Sequence, residues 1–112
     1  MAERKILDDP IAFIRDCLAG GRILWTYHVN LRLERRFISR EAIIGAVDNY
    51  ELVEQYPDDK YFPSYLLVGR HDEKFFHALF ATDVEDRNVR LVTAYYPDPN
   101  EWETDLKTRR RR

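Results

Sequence analysis

His28, Arg32 and Arg36 recur every four residues within Tyr27 to Arg36, a stretch that reads as a helix. That spacing sets one imidazole and two guanidiniums along one face of about two turns. A histidine takes or gives a proton near neutrality, and Arg offers a fixed fork of donors that suits phosphate. RNA cleavage without a metal needs such a set. A base removes the 2′-hydroxyl proton, cations stabilise the phosphorane, and an acid protonates the leaving oxygen. The same spacing equally describes a solvated helix face whose Arg side chains pair with Glu34 or Glu41.

His77 lies in Phe75-Phe76-His77-Ala78-Leu79-Phe80. Alternation sets Phe76, Ala78 and Phe80 on one face and Phe75, His77, Leu79 and Ala81 on the other. Both faces are largely apolar, so a central strand covered on both sides is expected. His77 there is either a hydrogen-bonded core histidine or a cleft residue. Thr93 and Tyr95, two apart in a later strand, point the same way. Paired hydroxyls suit a phosphate or a nucleobase, and ordinary sheets also favour Thr and Tyr.

The loop Tyr56 to Ser64 sets Asp58, Asp59 and Lys60 among aromatics and prolines. Tyr56, Tyr61 and Phe62 can stack on bases with Lys60 near a phosphate, or the aromatics simply pin the loop to the sheet. Two adjacent carboxylates fall far short of a metal cage, and His71 and His77 share no ligand spacing. No metal and no cofactor are expected. The chain has no Gly-rich phosphate loop, no nucleophile elbow and no recognisable Cys–His pair. Its lone Cys17 excludes an internal disulfide and a Cys-based zinc site.

The elements that must position these groups follow from local signals. Asp9 caps a first helix with Pro10 at its first position, Ile11, Ile14, Cys17 and Leu18 form its stripe, and Gly20-Gly21 ends it. A short apolar piece, Ile23 to Trp25, leads into the second helix. Ser39 caps a third, with Ile38 and Ile43 as a hydrophobic staple, which runs through Val47 to about Asp48. Strands are expected at Glu51 to Gln55, Tyr65 to Gly69, Phe75 to Ala81 and Val89 to Tyr96, joined by short polar turns. Helices first and strands afterwards give an α+β fold with a four-stranded antiparallel sheet. Pro97 and Pro99 break the last strand, and Trp102 anchors a final turn.

At 112 residues the chain fits one domain, expected over residues 1–106, with 107–112 as a disordered basic tail. Apolar residues at 45% supply a core, and charged residues at 34% are of mixed sign. Of the 18 basic residues, Lys107 and Arg109 to Arg112 sit at the end, leaving thirteen against 20 acidic ones. Such a body does not bind nucleic acid by bulk charge. The stretch Arg22 to Arg40 differs, with five Arg against Glu34 alone. No apolar run approaches a membrane span of ~18 residues, and the first residues lack a signal peptide's apolar stretch. A cytoplasmic protein without membrane association is expected.

The chain resembles the DUF4258 family of bacterial domains of unknown function. The resemblance is carried by Tyr27-His28 with Arg32 and Glu34-Arg35-Arg36, by Ile38-Ser39, and by Tyr56-Pro57-Asp58-Asp59-Lys60 with Pro63-Ser64. Leu66-Leu67 before Gly69, His77 in its apolar strand, and Thr93-Ala94-Tyr95 with Pro97-Asp98 and Trp102 complete it. It spans roughly Trp25 to Trp102. One departure is Tyr65, where many relatives carry Cys.

That family is similar to the small RNases that include RelE-type toxins, barnase and colicin nucleases. The resemblance implies a RelE/barnase-like fold with a cleft on one sheet face, and metal-independent cleavage that leaves a cyclic phosphate. It implies His28 as base or acid, Arg32 and Arg36 on phosphate, and His77, Thr93 and Tyr95 along the cleft. Arg35, Lys60 and Tyr61 would contact RNA. The expected function is a toxin-like endoribonuclease with an RNA substrate and a cognate antitoxin of zinc-ribbon or helix-turn-helix type. The alternative is a non-catalytic RNA- or protein-binding module on a degenerate nuclease scaffold. Oligomeric state is not readable from the sequence.

Overall fold

A computed structural model describes residues 7–111. The elements in chain order are α1 (Pro10–Ala19), β1 (Ile23–Leu24), α2 (Tyr27–Arg35), α3 (Arg40–Gly45), β2 (Glu51–Tyr56), β3 (Ser64–His71), β4 (Lys74–Asp83) and β5 (Asn88–Tyr95). No helix among the described residues is long and apolar enough to cross a membrane.

Each helix starts at a side chain that satisfies an otherwise orphaned amide. The Asp9 carboxylate accepts from Ala12 N at 3.0 Å, Thr26 Oγ1 from Val29 N at 3.1 Å, and Ser39 Oγ from Ala42 N at 3.0 Å. Helices α1 and α2 end in the same way. Gly21, at φ 72°, follows α1, with Arg22 N donating to Cys17 O and Gly21 N to Leu18 O. After α2 the left-handed position is Phe37, at φ 57°, with Ile38 N on Leu33 O and Phe37 N on Glu34 O. This is the Schellman pattern, and Ile38 and Leu33 supply its apolar contact in the core. Helix α3 is shorter than expected. Val47 N bonds back to Ile44 O and Asn49 N to Ala46 O, three-residue closures that tighten the chain into turns.

The sheet has five strands in the order β1-β5-β4-β3-β2, so the expectation of four antiparallel strands is corrected. Strands β2 to β5 form an antiparallel meander, and β1 adds to β5 in parallel through Ile23↔Val89 and Leu24↔Arg90. Two residues are too few to show alternation, which is why Ile23 to Trp25 read only as an apolar lead-in. From β1 the chain crosses through α2 and α3 to β2 at the opposite edge.

Helices cover one sheet face. The core joins Ile14, Cys17, Leu18, Val29, Leu33 and Ile43 to Tyr65, Leu67, Phe76, Phe80 and Leu91. Gly69 is required for this packing, since a Cβ there would lie 2.6 Å from the Tyr50 ring and 2.9 Å from Ala46 Cβ. Strand β4 is central, as expected. Its other face is covered by the C-terminal segment, which corrects the expected disordered tail for Lys107 to Arg110. Trp102 and Arg109 pair as an antiparallel bridge, and Glu103 N donates to Thr108 O and Arg110 N to Glu101 O, both at 2.8 Å. Asp105 closes the turn by accepting from the Lys107 and Thr108 amides. Lys107 reaches Glu51 at 3.0 Å and Arg109 reaches Glu54 at 2.8 Å, so the basic residues are held down by the acids of β2. Arg112 lies outside the described residues.

Candidate functional site

The sheet face opposite the helices carries Glu54, Tyr56, Leu66, Val68, His77, Leu79, Thr93 and Tyr95, as the cross-strand register requires. The C-terminal hairpin seals one end of this face. The rest forms a hollow of about 590 Å³ with Leu66 and Leu79 as its floor. Gln55 to Asp59 wall one side, and Thr93 and Tyr95 the other. Asp59 sets the loop's shape, accepting from Ser64 Oγ at 2.6 Å and Lys60 N at 3.0 Å.

At the boundary between hollow and hairpin stands a three-member hydrogen-bond chain. His77 is fully buried, with Trp102 edge-on at 4.6 Å between ring centroids. Its Nε2 lies 2.7 Å from Leu106 O and its Nδ1 3.2 Å from the Tyr95 hydroxyl. A carbonyl oxygen can only accept, so Nε2 carries the proton. Burial pushes the His77 pKa down, against the opposing bond to Leu106 O and the charge of Glu54, which favours the neutral ring. Nδ1 is then an acceptor, and Tyr95 donates to it. Burial likewise raises the Tyr95 pKa, so the phenol keeps its proton at neutral pH. The hydroxyl of this lining residue is thus coupled to a base, which a third group orients.

Arg36 supplies the cation. As the C-cap of α2 it reaches the edge of β5, where Nη1 donates to Thr93 Oγ1 at 3.0 Å and to Ala94 O at 2.7 Å. Two of its five N–H donors are thereby used and three remain. Thr93 accepts from Arg36, which leaves its own hydroxyl proton free to point into the hollow. Near the hairpin, Glu54 accepts from both Arg109 and the Tyr56 hydroxyl. Its carboxyl is held below the usual range, first by the Arg109 hydrogen bond.

The residues singled out in the sequence are therefore divided. Arg36, Thr93, Tyr95 and His77 come together. Arg36 is not itself a lining residue and meets the hollow through its bond to Thr93, whereas His28, Arg32 and Arg35 are exposed on α2 and neither line the hollow nor bond a residue that does among the described residues. Successive residues four apart drift by ~40° around a helix axis, so only Arg36, turned by the Schellman end, meets β5. Lys60 and Tyr61 lie on the far side of the loop. His77 is a core histidine with both ring nitrogens bonded, and it meets the hollow only through Tyr95. Sequence reasoning missed the Leu106 carbonyl, which has no side-chain signature. It also missed Glu54, whose two-residue spacing from Tyr56 was the available signal. Among the described residues no three His, Cys, Asp or Glu side chains gather as a metal site.

A family model described as a domain of unknown function (DUF4258) matches residues 25–96. The match ends short of Trp102, so the hairpin that seals His77 lies beyond it. No curated protein and no solved structure matches the chain at a significant level.

Proposed function

The chain belongs to the DUF4258 family, and on that premise we propose that it is a metal-independent endoribonuclease. A ribose 2′-hydroxyl attacks the neighbouring phosphodiester in the hollow. The observation that carries this reading is Tyr95, which lines the hollow and whose hydroxyl is bonded to a histidine whose tautomer is fixed. As the O2′–P bond forms, the 2′ proton passes to the Tyr95 oxygen while the phenol's own proton moves to His77 Nδ1. Leu106 O holds the resulting imidazolium. The free donors of Arg36 and the Thr93 hydroxyl stabilise the phosphorane oxygens. The P–O5′ bond then breaks, and the departing oxygen takes its proton from solvent.

Resemblance to small RNase toxins extends the proposal to a cytoplasmic toxin held in check by an antitoxin of zinc-ribbon or helix-turn-helix type. One observation favours the second reading, a non-catalytic RNA- or protein-binding module: His28 and Arg32 stand off the hollow. The two readings separate on a labelled oligoribonucleotide incubated with the full chain in a chelator. Cleavage with a cyclic phosphate end, absent when every 2′-hydroxyl is replaced by hydrogen, supports the nuclease. Retention of intact RNA supports the module.

A further inference from the structure

A second hollow, of about 380 Å³, shares Asp59 with the first; it is lined by Lys60 and Tyr61, expected from the sequence to contact RNA, and by Arg90, for which the sequence suggested no role. Its floor is Ala81, a small residue that pairs with Arg90 on the adjacent strand. Arg90 is exposed, and no hydrogen bond or ion pair engages its side chain among the described residues. Most other cations near this face are committed: Arg36 to Thr93, Lys107 to Glu51 and Arg109 to Glu54. Tyr61 also lines it, a residue that is 74% exposed, with Lys60 Nζ 5.3 Å from its ring centroid. The loop's shape does not need that ring, because Asp59 fixes the loop through Ser64. An aromatic held out in solvent beside two cations is what stacking on a nucleobase requires.

The position fits the first hollow. Arg90 precedes Thr93 by three residues along β5, or ~10 Å at the rise of a strand. Helix α2 flanks both ends, with Thr26 lining the second hollow and Arg36 bonded to Thr93. Its exposed His28 and Arg32 lie on the helix between. A single strand crossing between the hollows would pass the Asp58 and Asp59 carboxylates, with Arg36 beside Thr93 at one end and Arg90 and Lys60 at the other.

We propose that the second hollow is a nucleotide subsite, with a base stacked on Tyr61 and its phosphate on Arg90. It positions the residue next to the phosphate cleaved in the first hollow. This rests on the nuclease reading for its role and on the Arg90–Tyr61 geometry for its existence.

The test uses a fluorescent 2′-O-methyl RNA decamer, which cannot be cleaved by 2′-hydroxyl attack, titrated with the full chain at several salt concentrations. Arg90→Gln is expected to weaken binding about tenfold and to reduce the salt slope by about one. Tyr61→Ala is expected to weaken binding roughly five- to hundredfold, with the salt slope unchanged. Both side chains are exposed, and circular dichroism verifies that the variants fold. Wild-type affinity in both variants overturns the subsite, and it leaves the nuclease reading standing if unmodified RNA is still cut. Weakened binding in both, without cleavage of unmodified RNA, upholds the subsite and overturns the nuclease. Sensitivity at Arg90 with indifference at Tyr61 marks a plain anion site, such as one for an acidic peptide, and overturns the stacked nucleotide.

Discussion

The Tyr95 hydroxyl and His77 Nδ1, 3.2 Å apart, join the open side of the sheet to its sealed side. Tyr95 faces the hollow, and His77 sits beneath Trp102 with no exposure to solvent. A proton entering at the phenol therefore has one bonded path inward, and it ends at the Leu106 carbonyl.

The same burial makes stability depend on pH. The unfolded chain binds a proton at His77 more readily than the folded one, because burial holds the folded pKa below its ordinary value of 6.5. This contribution is complete above that value and is lost as pH falls through the lower folded pKa. Glu54, held low by Arg109, withdraws its share only below the ordinary 4.5. Urea denaturation between pH 7.5 and pH 5 should therefore destabilise the wild type more steeply than His77→Gln. Parallel pH profiles would mean that His77 is not held neutral.

The C-terminal hairpin should owe its hold to packing rather than to its ion pairs. Trp102→Ala removes a nearly fully buried indole and is expected to cost ~3–5 kcal/mol. Arg109→Ala breaks a partly exposed pair and should cost no more than ~1 kcal/mol. Denaturant midpoints of the two variants check the ranking, and equal losses would contradict it.

Phe37 stores backbone strain at an exposed position. Its φ of 57° suits glycine, and the residue is 89% exposed, so little packing compensates. Phe37→Gly keeps the backbone carbonyl that accepts from Tyr96 and should raise stability by up to ~1 kcal/mol. A fall in melting temperature would show that the ring makes a contact worth more than the strain.

What could be read in the sequence was local. Asp9-Pro10 and Ser39 announced their helices because a capping side chain acts within three residues, and apolar alternation placed His77 on a central strand. The pairing of Ile23 and Leu24 with β5 was not readable, since two residues carry no period. Nor was the seal over His77, because Trp102 and Leu106 meet it across more than twenty residues. The four-residue spacing puts His28 and Arg32 on α2 and Arg36 at its C-cap. It could not say that the helix ends where only Arg36 reaches Thr93. The five terminal cations looked like a loose tail because the acids that hold Lys107 and Arg109 lie fifty-odd residues away on β2.

Replacing Tyr95 by Phe is the most direct measurement, because it deletes the one hydroxyl that links the hollow to His77 and keeps the ring. Cleavage of a labelled oligoribonucleotide should fall by ~10²–10⁴, with the circular dichroism spectrum of the wild type retained. Undiminished cleavage by the folded Tyr95→Phe protein would contradict the account.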